Sequence, residues 1–162
     1  MIEAVVFDLD GTLIHLPINY ESLFRKFGRI MKTHEVRPLT KTIPRLDEST
    51  RKRIFKVWEE AELGALAHMT VNDEGMVLYK EFVDKPKALV TMQGKALVQK
   101  TIERLSLSFN HVITREYSLY RIRQLNNAVR KLGASSARTL LVGDTDEDLL
   151  AAQRSGCQFV KV

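Results

Sequence analysis

A single cysteine, Cys157, excludes an internal disulfide in this 162-residue chain, and with it the stapled frameworks of small secreted domains. Its setting, Gly156-Cys157-Gln158-Phe159-Val160, reads as the approach to a strand and gives the thiol a buried, inert role. No apolar run reaches the roughly 20 residues that cross a bilayer, and the first residues feed a strand instead of a signal peptide. These absences describe a soluble, cytoplasmic protein. Internal repeats and low-complexity segments are missing too, and the composition is not that of a disordered chain. What is left is one domain of ordinary size, or a core with a modest insertion, long enough to bury a real hydrophobic centre.

Acidic residues are scarce where basic ones crowd. Residues 24–56 hold eleven of the 25 Lys/Arg but only three of the 20 Asp/Glu, against a net charge of +5 for the whole chain. At about 100° per residue, Arg25, Lys26, Arg29 and Lys32 fall on one side of a helix. Leu23, Phe24, Phe27, Ile30 and Met31 fall on the other. The cations therefore read as a solvated face and the aromatics as core. No recognised nucleic-acid-binding motif accompanies the charge, which argues against a nucleic-acid partner. His34, His68 and His111 show no metal-ligand spacing, and His15 reads as loop packing or a substrate contact.

The informative stretch is Val5-Val6-Phe7-Asp8-Leu9-Asp10-Gly11-Thr12-Leu13. Ala4 to Phe7 is short, β-branched and aromatic, a buried strand stopped by the turn at Gly11. Asp8 and Asp10 thus lie at a strand's carboxyl end, the edge where open parallel sheets bind ligands. Strand alternation would send both to one side. Two unit charges at about 4 Å repel by about 4 kcal/mol at an effective dielectric near 20, so the pair asks for a cation or a proton. A hard divalent metal meets that need. A calcium loop of the EF-hand type is disfavoured, because the twelfth position counted from Asp8 is Asn19 instead of Glu.

Between Asn19 and Asp84 no convincing strand appears, and the patterns are helical. Helices are expected from Glu21 to Lys32, from Glu48 to Leu66 with Ile54, Trp58, Ala61 and Ala65 on one face, and after Asn72 with Met76, Tyr79, Phe82 and Val83 apolar. Pro38 and Pro44 punctuate the linker between the first two. The rhythm then becomes strand and helix in alternation. Strands are expected at 88–91, 111–114, 139–142 and 159–162. Helices are expected at 95–105, from Ser118 to Gly133, and from Gly143 to Gly156. That is the pattern of right-handed βαβ units and a parallel sheet.

Two more groups follow predicted strands. The Thr91 hydroxyl can donate to a phosphate oxygen. Gly143-Asp144-Thr145-Asp146-Glu147-Asp148 is a second acidic cluster. In it Asp146 or Glu147 suits a helix cap, and Asp144, at the strand edge, suits a metal site shared with Asp8.

Together these motifs resemble the haloacid dehalogenase superfamily, specifically its phosphatases of the phosphoglycolate phosphatase type, over nearly the whole chain. The first motif is Asp8-Leu9-Asp10-Gly11-Thr12, the second Thr91, and the fourth Gly143-Asp144 with Asp148. The resemblance implies an α/β fold: a Rossmann-like parallel sheet in the family's strand order 5-4-1-2-3, flanked by helices. Residues 1–17 and 86–162 would form this catalytic core, and 18–85 a small inserted all-α cap of the C1 type.

The resemblance also implies Asp8 as nucleophile, Asp10 as acid and base, and Mg²⁺ on Asp8, the Asp10 carbonyl and Asp144. Thr12, Gly143 and Asp148 would support that shell. Leu9 through its amide, Thr91 and a third-motif cation would hold the phosphoryl oxygens. The family's usual Lys-Pro pair is absent between Thr114 and Gly133, which leaves Arg121, Arg123 and Arg115, with Arg121 preferred for its place near a helix start. The acid at position 10 favours phosphoryl transfer over dehalogenation. The implied activity is hydrolysis of a small phosphorylated metabolite by a monomer or small homo-oligomer. The alternatives are a phosphomutase of the same superfamily and a noncatalytic phosphate-binding module with a basic interaction surface.

Overall fold

The computed structural model describes residues 1–162. Strand β1, Ala4–Phe7, is wholly buried, as its apolar run requires. A two-residue strand, β2, Ile14–His15, follows the first turn. The insertion contributes α1, Tyr20–Met31, a short α2, Leu39–Thr42, and α3, Glu48–Ala65. A second two-residue strand, β3, Thr70–Val71, precedes α4, Asp73–Glu81. The rest alternates: β4, Lys87–Val90; α5, Lys95–Leu105; β5, His111–Ile113; α6, Arg121–Leu132; β6, Thr139–Gly143; α7, Asp146–Ser155; and β7, Gln158–Lys161.

The main sheet is parallel, in the order β5-β4-β1-β6-β7, which is the expected order read from its other edge. Phe7 lies in register with Leu89 on one side and Val142 on the other. The chain beyond each of these strands therefore leaves at one edge, and Asp8, Thr91 and Asp144 meet there. Alternation sends Val5 and Phe7 to one face and Val6 to the other. The first face packs with Leu97 and Val98 of α5; the second packs with Leu125, Ala128 and Val129 of α6 and Ala151 and Ala152 of α7. No helix is long and apolar enough to cross a membrane.

The helical cap has its own centre. Leu23 and Phe27 of α1 and Ile54 and Trp58 of α3 cluster with Val36, Ile43 and the core's Leu119. Phe27 is fully buried, its ring 5.7 Å from that of Trp58, while Arg25, Lys26, Arg29 and Lys32 face solvent as their spacing predicts. Burying a side chain of that size is worth about 2 to 3 kcal/mol. Asn19 and Asp47 cap α1 and α3, each accepting a backbone amide at 2.9 Å.

Two features depart from the sequence reading. The insertion does contain a strand, since β3 pairs antiparallel with β2 and ties the two crossings between cap and core. Two residues are too few to leave a periodic signal. Helix α4, assigned to the insertion, instead packs Met76, Leu78 and Tyr79 into the sheet's own cluster, where the Tyr79 ring lies 5.8 Å from that of Phe7. Spacing shows that a helix face is apolar but not what covers it.

Candidate active site

The turn after β1 is built before the acids can act. The Leu9 carbonyl accepts the amides of Thr12, Leu13 and Ile14, and Gly11 takes φ 85°, a conformation that disfavours other residues. A Cβ at Gly11 would lie 2.1 Å from Asp144 Oδ2, so the turn and the end of β6 touch only because it has none. Asn72 closes the turn from outside, its Nδ2 donating to the Gly11 carbonyl at 3.1 Å and its backbone amide to Leu13 at 2.9 Å. The Thr12 hydroxyl donates to Asp144 Oδ1 at 3.3 Å.

Asp8 is 4% exposed, and its backbone amide donates to Val142 at 3.0 Å. Its Oδ1 accepts from Arg121 Nη2 at 2.8 Å. Arg121 opens α6, an awkward place for a cation because the helix dipole is positive there. Its Nε stands 2.7 Å from Asp148 Oδ1 as an ion pair without hydrogen-bond alignment, and its Nη1 donates to Gln124 Oε1 at 2.8 Å. Burial works against the guanidinium charge, but Asp8 and Asp148 outweigh it and raise the pKa. Arg123 is exposed beside the Tyr120 ring, and Arg115 is buried elsewhere against Glu62. Of the three arginines, Arg121 is the one brought to Asp8.

Carboxylate oxygens of Asp8, Asp144 and Asp148 lie within 4.8 Å of one another. Burial pushes the Asp8 carboxyl up to about 8; Arg121 and the Leu9 amide pull it down, and Asp148 and Asp144 add to the rise. Three acids facing one guanidinium leave a deficit of positive charge, and an all-oxygen donor set suits a hard divalent cation. The residues therefore fit a metal of that class. Asp148 has a second task, because its Oδ2 accepts from the Thr145 hydroxyl at 2.8 Å and from the Thr145 amide at 3.2 Å in a capping box. Thr145, not Asp146 or Glu147, is thus the cap of α7. Gly143 lies under it, since a Cβ there would approach Asp148 Oδ2 to 2.6 Å.

Asp10 lies outside the three-acid cluster, though Asp144 is near enough to act on its carboxyl. Its Oδ1 accepts the Leu16 amide at 2.8 Å. Burial raises its pKa, partly countered by that amide. Thr91 is fully buried, donating to Gln93 Oε1 at 2.8 Å and accepting from the Gln93 amide at 3.1 Å. Gln124 Nε2 donates at 2.8 Å to the carbonyls of both Thr91 and Ser118, so the first turn of α6 is tied to the end of β4. Sequence reasoning missed Gln93, Gln124 and Asn72, whose contacts depend on the way the helices cross. The position of Gln93, two residues past a strand-end threonine, is the one signal that was available.

Outside the acids, an open groove on the cap is lined by Phe24, Arg25, Arg29, Lys32 and Arg37. A second joins Phe24, Arg37 and Leu39 of the cap to Met92 and Glu147 at the sheet edge.

A parallel α/β sheet with an acid-and-arginine cluster at its carboxyl edge and a helical cap above defines the class. Residues 16–162 match the family model described as haloacid dehalogenase-like hydrolase, and the chain belongs to that family. It is 24% identical to a pyrophosphatase, PpaX, of Oceanobacillus iheyensis, over 99% of this chain and 83% of that protein. It is also 24% identical to a phosphoglycolate phosphatase of Neisseria gonorrhoeae, over 99% of this chain and 80% of that one. The crystal structure of a hydrolase from Pseudomonas syringae superposes with a TM-score of 0.72 at 18% identity, over 98% of this chain and 82% of that one.

Proposed function

We propose that the protein is an Mg²⁺-dependent phosphatase that hydrolyses a small phosphate monoester through an aspartyl phosphate on Asp8. The observation that carries this reading is the burial of Asp8 between Arg121 and the two acids Asp144 and Asp148, at the edge that also presents Thr91. Family membership and the two phosphatase-type relatives support it.

Uncatalysed hydrolysis of phosphate monoesters is extremely slow, so the site must supply both a positioned nucleophile and charge neutralisation. Asp8 attacks phosphorus, and Asp10 protonates the leaving alcohol. Asp10, now a base, then takes a proton from the water that cleaves the acyl phosphate. The Leu9 amide, Arg121 and Thr91, whose hydroxyl turns from Gln93 Oε1 to do so, hold the non-bridging oxygens. Asp8, the Asp10 carbonyl and Asp144 would hold Mg²⁺, with Asp148 orienting them, and the metal would neutralise phosphoryl charge. The catalytic unit comprises residues 1–17 and 86–162 with α4 packed against it, and the rest of 18–85 acts as a cap that selects a small phosphorylated metabolite. A cytoplasmic setting agrees with the lone thiol.

Release of phosphate from an aryl phosphate ester tests the reading. With Mg²⁺ present the wild type turns over and Asp8→Asn is slower by about a thousandfold or more, as expected when a covalent route is closed. Full activity in Asp8→Asn would refute it.

A further inference from the structure

A second buried ion pair lies away from the acids, and the proposed chemistry has not used it. Glu62 on α3 and Arg115, after β5, are 0% and 2% exposed, and Arg115 Nη1 donates to Glu62 Oε1. The guanidinium lies 4.3 Å from the Trp58 ring centre and 5.4 Å from that of Phe55, both on α3. A cation held between aromatic faces and a carboxylate, out of water, is fixed in position.

The pair grips one loop. Arg115 Nη1 also donates to the Met92 carbonyl at 3.3 Å, and its backbone amide donates to the Gln93 carbonyl at 3.3 Å. The Gly94 amide donates to both oxygens of Glu62 at 3.3 Å. A Cβ at Gly94 would stand 2.6 Å from Arg115 Nη2 and 3.2 Å from Glu62 Oε2, so the loop is pressed directly onto the pair. This is the segment that begins at Thr91, whose hydroxyl is itself held by Gln93.

Helix α3 spans two clusters. Ile54 and Trp58 belong to the cap, while Ala65 belongs to the sheet core, and Glu62 lies on the stretch between them. A cap helix thus reaches into the catalytic edge through one carboxylate.

We infer that Glu62 and Arg115 are positioning residues that set the Thr91–Gly94 loop for phosphoryl binding, so that the seating of the cap helix and the shape of the phosphate site are one property. This rests on the phosphatase reading for its meaning, but it can be measured without turnover. Inorganic phosphate, titrated calorimetrically with Mg²⁺ present, is the probe; kcat and KM on an aryl phosphate are the second readout. Thermal melts identify the variants that are folded at the assay temperature.

Arg115→Met weakens phosphate binding and lowers kcat/KM by about tenfold or more in folded protein, a smaller loss than the roughly hundredfold or more of removing a transition-state donor itself. Glu62→Gln, which keeps the side chain's shape and an acceptor for Gly94, gives a smaller loss in both. Arg115→Lys recovers part of the Arg115→Met loss. Arg138→Ala removes an exposed pair with Glu3 and leaves both readouts unchanged. Should Arg115→Met not fold, Glu62→Gln carries the comparison. Folded variants that bind phosphate and turn over within twofold of wild type would overturn the inference. A wild type that binds phosphate but hydrolyses no ester would defeat the phosphatase reading alone, and the binding comparison would still decide this one.

Discussion

At the scale of single residues, the arrangement turns on the cation opposite Asp8. Arg121 makes two ion pairs there, to Asp8 and to Asp148. Deleting one partner of a buried pair costs about 3 to 5 kcal/mol. Arg121→Met should therefore lower the melting temperature of the metal-free protein, and added Mg²⁺ should restore part of it by taking over the neutralisation of the three acids. Chemical and thermal unfolding with and without Mg²⁺ checks this; an unchanged melt would contradict it.

A second prediction follows from the Asp8 carboxyl at about 8, against an ordinary Asp near 3.9. The folded, metal-free state holds that proton more tightly than the unfolded chain. Its contribution to stability is complete below about pH 4, falls as the pH rises, and levels off above about 8. A metal needs the ionised carboxylate, so apparent affinity for a divalent cation should rise about tenfold per pH unit up to about pH 8 and then flatten. Calorimetric Mg²⁺ titrations from about pH 6 to 9 read this directly. Affinity independent of pH would show that Asp8 does not lose a proton on binding.

Asp8 and Asp144 were legible from sequence because each follows an apolar strand. The arginine was narrowed to three with Arg121 preferred, since whether position 115, 121 or 123 reaches Asp8 depends on the way α6 crosses the sheet.

At the scale of elements, α4 is a brace for the turn after β1. Asn72, which caps α4, donates to the Gly11 and Leu13 carbonyls, and a Cβ on Gly75 would sit 1.7 Å from the Thr12 carbonyl oxygen. Gly75→Ala must push the helix off the turn. We expect a loss of about 1 to 3 kcal/mol, the usual range for overpacking, and a fall in turnover with it. Gly64, on the exposed side of α3, is the contrast, because a Cβ there meets nothing within 4 Å. Gly64→Ala should stabilise by about 0.5 to 1 kcal/mol through helix propensity alone. Denaturant melts of the two variants distinguish packing from propensity; like signs would refute the brace.

The alanine pair also shows where reading the sequence stops. The apolar face of α4 was visible at Met76, Tyr79 and Phe82, but its docking on Phe7 was not, because periodicity carries no address. The β2–β3 ribbon was invisible because two residues have no period.

At the scale of the whole molecule, the fold gathers groups that are far apart in sequence. Asp8 and Arg121 are 113 residues apart and hydrogen-bonded, and Thr12 and Asp144 are 132 apart. The parallel sheet does this by sending every strand out at one edge, which the alternation of strands and helices after residue 86 already implied. The cap was legible as a helical insertion with a basic outer face. Its grip on the core through Glu62 and Arg115 was not, since a lone Glu on a helix and an Arg after a strand look like surface residues until both prove buried.

The phosphatase reading rests on the proposed phosphoryl transfer to Asp8. It is tested most directly by acid-quenching the enzyme in mid-turnover with an aryl phosphate and Mg²⁺, then mapping the peptides by mass spectrometry. One phosphoryl group on the peptide that contains Asp8, present in wild type and missing in Asp8→Asn, is the expected result. Steady turnover with that peptide unmodified, or an Asp8→Asn variant that releases phosphate at the wild-type rate, would contradict it.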